Sequence, residues 1–158
     1  AIMISFEGIP AIYFNSIFGT SNDETKFIIT GNNRDVNRYR WNLKNISNKL
    51  RNPKTKQSIF YNSICSLLDI RRRQKAFHPN ASRLNLNLGQ KIYGFKRISK
   101  DKKQTILCIT NLSSKIQKVK FYKKNQKMKN LLKSKNNNIY KKFIILNPFE
   151  TIWLSNIK

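Results

Sequence analysis

At His78, Pro79 and Asn80 the hydrophobic period of the chain changes, and no other feature limits so strongly what it can fold into. Before that point, residues 58–77 repeat apolar side chains at helical spacing. Phe60, Ile64, Leu67 and Leu68 fall on one face, and Arg71, Arg72, Arg73 and Lys75 crowd the C-terminal end, where cations complement the helix dipole. From Arg83 onward short alternating runs follow one another: RLNLNL, KIYGFKRI, TILCIT, QKVKFY, KKFIIL and TIWL, separated by SKDKKQ, NLSSK and KNNN. Runs of that length with turn-prone pieces between them predict a compact antiparallel sheet unit.

The first half has a different grammar. Residues 1–14 are apolar, interrupted by Gly8 and Pro10, and PAIYF reads as a strand covered on both faces, as in parallel sheets. Residues 15–54 have little periodicity and are punctuated by Gly19, Gly31, Asn32, Asn33 and Pro53, with a helical turn or two inside WNLKNISNKL. The expected fold class is α/β plus all-β: residues 1–80 as the last strand, long loop and final helix of a TIM barrel, residues 81–158 as a small antiparallel β domain. Position 1 is an Ala inside an apolar run already under way, so a C-terminal fragment lacking its N-terminal barrel segment is expected.

Charge raises a competing reading. The chain carries 32 Lys+Arg against 7 Asp+Glu, a formal +25, which ordinarily suggests nucleic acid or an anionic membrane as partner. The lysines are spread among asparagines and isoleucines, a compositional drift rather than a basic stripe, so any nucleic-acid binding is expected to be nonspecific. The best case for a nucleic-acid module is the β region, where Tyr93 and Phe95 share a face with Arg97 and where Phe121 and Tyr122 stand among lysines. No apolar stretch approaches the ~20 residues of a membrane helix. No membrane partner and a cytoplasmic location are expected. Cys65 and Cys108 have no metal-ligand spacing and read as buried reduced thiols, and neither a metal nor a cofactor is expected. His78 reads as a cap or packing residue, and Tyr13, Phe14, Phe18 and Phe27 as core rather than a sugar-stacking wall.

Four strings taken together carry a resemblance: GIPAIYF, FGTSND, NRDVNR beginning at Asn33, and LLDIRRRQKAFHPN. In that combination the chain resembles the sucrose phosphorylase-like group of the α-amylase clan, glycoside hydrolase family 13, from residue 1 to about residue 121. The resemblance implies an enzyme that moves an α-glucosyl unit from sucrose or a related glucoside to inorganic phosphate with retention. In barrels of this kind the active site is built from the loops after the strands, so the loop after PAIYF falls on the catalytic face. The resemblance places at Arg34 an arginine that hydrogen-bonds the glucosyl ring. A guanidinium suits that role because its fixed fork of donors can address two adjacent oxygens. Asp35, Asn37 and Arg38 are expected to hold the loop. Asn15 departs from the histidine or bulkier residue found there in relatives, which leaves acceptor preference open.

The chemistry itself is expected to lie elsewhere. Retaining transfer needs a carboxylate nucleophile and a carboxylic acid about 5–5.5 Å apart. The acidic residues here are Glu7, Asp23, Glu24, Asp35, Asp69, Asp101 and Glu150. Glu7 precedes the strand, Asp23 and Glu24 are neighbours in a loop, and Asp69, Asp101 and Glu150 belong to the helix and β domain. The resemblance assigns all three catalytic carboxylates to earlier strands, so no catalytic residue is assigned and the isolated chain is expected to be inactive. An inactive remnant of a barrel gene is a further alternative.

Overall fold

The computed structural model describes residues 1–120, 128–132 and 143–157. Its helices are α1 (Ile2–Ser5), α2 (Phe14–Ile17), α3 (Glu24–Thr30), α4 (Leu43–Arg51) and α5 (Lys56–Arg72), with 3-10 turns at Asn33–Asn37 and Lys75–Phe77. The strands are β1 (Ser82–Leu86), β2 (Ile92–Ile98), β3 (Thr105–Asn111), β4 (Gln117–Lys120), β5 (Lys129–Asn130), β6 (Phe143–Leu146) and β7 (Thr151–Ser155). Two compact units result: Ala11–Ser66, and Ala1–Pro10 with Leu67–Lys158.

In the second of these units five strands form an antiparallel sheet in the order β1-β2-β3-β7-β5, and β4 pairs with β6 in a separate two-stranded sheet. Each of the six alternating runs contains a strand; Phe121, Tyr122, Lys141, Lys142 and the KNNN turn lie outside the described residues. The two sheets enclose one apolar cluster. Ile92, Leu107, Ile109, Ile152 and Leu154 from the larger sheet meet Val119, Ile144 and Leu146 from the smaller. Strand period then turns the intervening residues, Phe95, Arg97, Ile106, Cys108 and Trp153, to the opposite face. That face is buried as well. A central strand covered on both sides explains why TILCIT carries four consecutive apolar residues, Ile106 to Ile109, where a half-exposed strand would alternate.

What covers the second face is the start of the chain and the 3-10 turn at Lys75–Phe77. Phe6 packs on Phe95 and Tyr93 with ring centroids 5.5 and 6.2 Å apart, and Phe77 meets Trp153 edge-on at 4.8 Å. Two arginines fasten this cover. Arg97, wholly buried, donates to the carbonyls of Ser5, His78 and Ala81, and Arg71 donates to those of Ile4, Phe6 and Gly8. Burial draws both guanidinium groups below their ordinary pKa, yet arginine stays charged under all relevant conditions. Arg71 therefore plays a part other than the expected one: it turns inward and grips backbone, while Arg72 pairs with Asp69 on the exposed side of α5. Helix α5 ends at Arg72, before the expected limit at residue 77, because the chain must turn there to lay Ala76 and Phe77 on the sheet.

The expected strand at PAIYF does not form. Residues 9–13 form neither helix nor strand, Phe14 begins α2, and none of the described strands pairs with them. Ile9 is 84% exposed. A strand without a hydrogen-bonded neighbour has nothing to hold it in register, so the apolar pattern alone leaves this stretch irregular.

Candidate substrate-binding loop

The loop expected to face a sugar lies in the unit Ala11–Ser66, and the structure shows how it is held. Asn15 is its staple. Its buried amide donates to the carbonyls of Asn37 at 3.2 Å and Tyr39 at 3.0 Å, which ties the start of the loop to its far side. Tyr13 adds its hydroxyl to the same Asn37 carbonyl. Asp35 pairs with Lys26 at 3.3 Å, and hydrogen bonds from Thr30 and Lys26 hold its carboxyl below the usual range. Asp35 and the backbone of Asn37 thus hold the loop as expected. Arg38 does not: its side chain is exposed and makes no hydrogen bond or ion pair among the described residues.

Arg34 sits in the 3-10 turn at Asn33–Asn37, where Asn32 caps its backbone N–H at 3.0 Å. Its side chain is exposed and, among the described residues, engages no carboxylate. The backbone is fixed and the guanidinium is left open to a ligand. Between Asn15 and this turn runs α3, a helix in a stretch expected to be loop. The helix is nonetheless fully punctuated: Asp23 accepts from the N–H of Lys26, and Gly31, in the left-handed region at φ 64°, closes its end.

Of the aromatics expected to be core, only Phe18 is buried; Tyr13, Phe14 and Phe27 are exposed. Phe18 gathers Phe14, Trp41 and Tyr61 around it. Tyr39 and Trp41 form a T-shaped pair at 4.8 Å, and the Trp41 indole N–H donates to Thr20. This pair was not singled out from the sequence, although two aromatics at i and i+2 in an extended segment present themselves to one side.

The acidic residues are almost all in structural use. Glu7 pairs with Arg83, Asp69 with Arg72 and Asp101 with Lys75, Asp23 caps α3, and Glu150 accepts from the N–H of Asn147. His78 is the C-cap of the 3-10 turn at Lys75–Phe77, its backbone N–H donating to the Lys75 carbonyl, and its Nδ1 accepts from the N–H of Asn80. Neither cysteine is in a disulfide; Cys108 is buried, whereas Cys65 is only half-buried. Among the described residues no group of His, Cys, Asp and Glu could hold a metal ion, and no helix is long and apolar enough to cross a membrane.

The fold of the described residues matches parts of larger solved structures. A solved structure of a MutB mutant in complex with the substrate sucrose aligns over 98% of this chain and 36% of its own, at 12% identity and a TM-score of 0.65. Trehalose-6-phosphate hydrolase from Bacillus licheniformis aligns over 69% of this chain and 20% of its own, at 15% identity and a TM-score of 0.50. Sequence relatives narrow the group. Glucosylglycerate phosphorylase of Spirochaeta thermophila is 30% identical over 113 residues, 72% of this chain and 19% of the relative. Its namesake in Escherichia coli is 38% identical over 80 residues, 51% of this chain and 14% of the relative. The chain thus spans less than a fifth of the length of the curated relatives it matches. No known family's sequence profile matches it. The resemblance to the sucrose phosphorylase-like group of the α-amylase clan is borne out by these relatives.

Proposed function

We propose that this chain is the C-terminal part of a retaining α-glucoside phosphorylase, and that residues 1–80 complete a barrel whose β domain is residues 81–158. The observation that carries the reading is the identity to glucosylglycerate phosphorylases. Among sucrose, phosphorylated sucrose and glucosylglycerate, it favours glucosylglycerate as the donor, with inorganic phosphate as the acceptor. The exposed apolar side chains of Ile9, Tyr13 and Phe14 support it too, since a barrel would cover them. In the complete enzyme, acting in the cytoplasm, the catalytic carboxylates come from other strands and Arg34 donates to hydroxyls of the glucosyl ring.

The test is phosphate-dependent release of glucose 1-phosphate by the complete enzyme, comparing glucosylglycerate with sucrose. Arg34→Ala is expected to lower kcat/KM by about one to two orders of magnitude at unchanged Tm, because a charged donor is worth ~1.5–3 kcal/mol. Arg34→Lys should recover little, since a point charge lacks the fork. Near-normal kcat/KM for Arg34→Ala would remove the residue from the glucosyl site. Preference for sucrose would remove glucosylglycerate as the donor.

A further inference from the structure

Asn15 is a polar side chain in a place where apolar packing is the rule. It is only 6% exposed, and its amide Nδ2 donates to main chain, to the carbonyls of Asn37 at 3.2 Å and Tyr39 at 3.0 Å. Its Oδ1 is buried and meets no donor among the described residues. A buried acceptor without a partner destabilises, so an asparagine here is a poor choice if its task is only to fill space. Its root is firm, because Asn15 lies in α2 and its own carbonyl accepts from the N–H of Thr20 at 3.1 Å.

Asn37 is the last residue of the 3-10 turn that carries Arg34. From one side α3 holds that turn: the N–H of its cap Asp23 donates to the Val36 carbonyl at 2.7 Å, and Lys26 pairs with Asp35. From the other side it is held by Asn15 and by the Tyr13 hydroxyl, 3.3 Å from the same Asn37 carbonyl. The Arg34 side chain is exposed and engages no carboxylate among the described residues, so the backbone of the turn decides where its guanidinium stands.

We infer that Asn15 is a positioning residue for Arg34: through the carbonyls of Asn37 and Tyr39 it fixes the turn from which the guanidinium reaches its ligand. The inference rests on the phosphorylase reading, in which that ligand is the glucosyl ring. The two ends of the Asn15 amide have opposite effects. Its N–H groups set geometry, while its unpartnered Oδ1 works against stability. Leucine, of nearly the same shape, removes both at once, and the Asn37 carbonyl keeps the Tyr13 hydroxyl. The turn is then displaced with little net change in stability, which separates this role from that of a residue that only holds the fold together.

The experiment is a double-mutant cycle on phosphorolysis of glucosylglycerate by the complete enzyme. Asn15→Leu is expected to lower kcat/KM about five- to twentyfold with Tm within about 2 °C, because a small displacement of a positioned donor costs rate. The loss should divide between kcat and KM as it does in Arg34→Ala. In the Arg34→Ala background the same change should cost less than about twofold, since a residue acting through Arg34 has nothing left to position. Asn15→His, which retains one ring N–H donor, should recover part of the loss. If Asn15→Leu fails to fold, Tyr13→Phe, which takes one hydroxyl from a ring 51% exposed, goes through the same cycle. It should lose about threefold alone and nothing beside Arg34→Ala. Unchanged kcat/KM, or the full loss repeated in the Arg34→Ala background, would overturn the assignment. NMR of the chain alone reads the same contacts without activity: in Asn15→Leu the amide signals of residues 33–39 should shift and exchange faster with solvent, while those of β2 and β3 stay. A complete enzyme without phosphorolysis would remove the phosphorylase reading, whereas unmoved signals over residues 33–39 would remove the positioning role, so the two fail separately.

Discussion

Arg97 is the residue whose role departs most from its appearance. In the sequence it alternates with Tyr93 and Phe95 on what looks like a base-stacking face, and alternation was right about the face. Alternation carries no information on whether a face meets water or another segment, and here Phe6 and the carbonyls around it close it off. On that face Phe95 and Arg97 are interior and Tyr93 is half-buried, while Phe121 and Tyr122 lie outside the described residues. Replacing Arg97 by Met should cost about 3 kcal/mol or more in chemical denaturation, because several buried carbonyls lose their donor at once. Arg97→Lys should recover only a fraction of it. A loss within 0.5 kcal/mol would mean that the grip is dispensable. Beneath it, burial pushes the Cys108 thiol up to about 12 from an ordinary 9.0. The unfolded chain releases that proton first as pH rises, so stability from Cys108 is complete below about pH 9 and is lost between there and about pH 12. Urea unfolding at pH 8 and pH 10.5 should show that decline in the native sequence, and a smaller one in Cys108→Ala.

Among the elements, α3 and the stretch PAIYF teach opposite lessons. Helix α3 was legible but unread: Asp23 as cap, Gly31 as terminator and the apolar run FII between them spell a short helix, and the lack of a longer period hid it. PAIYF has a strand's composition and no strand's partner, so its local pattern describes a tertiary context that the described residues do not supply. The sheet strands were legible because each holds several alternating residues and ends at a turn, whereas β5, two residues long, offers no period at all. Gly31→Ala should lower stability by about 1 kcal/mol, because its left-handed backbone angle strains any side chain, although a Cβ there would meet nothing. A Tm shift of under half a degree would show that α3 contributes little to the fold of its unit.

At the scale of the molecule, its acidic residues decide what the chain can do by itself. Apart from that of Glu24, their carboxylates are engaged in caps, hydrogen bonds and ion pairs, which leaves no pair of them free to flank a glycosidic bond. Incubation of the purified chain with glucosylglycerate and phosphate should therefore release no glucose 1-phosphate above a blank; measurable turnover would place a catalytic carboxylate within these residues. The β unit was legible as a whole because its core is built from consecutive runs, while the loop's staple, Asn15, was not, since its partners lie more than twenty residues away.

The fastening of residues 4–8 has a consequence for how this protein can change over time. Arg71 and Arg97 hold carbonyl oxygens, which every amino acid supplies alike, so the attachment is indifferent to most of the side chains it secures. The side chains of that stretch are constrained separately, Phe6 by its packing on Phe95 and Tyr93 and Ile4 and Ser5 by burial. The two arginines themselves are not interchangeable with lysine, because a single ammonium cannot reach the three carbonyls that each guanidinium holds.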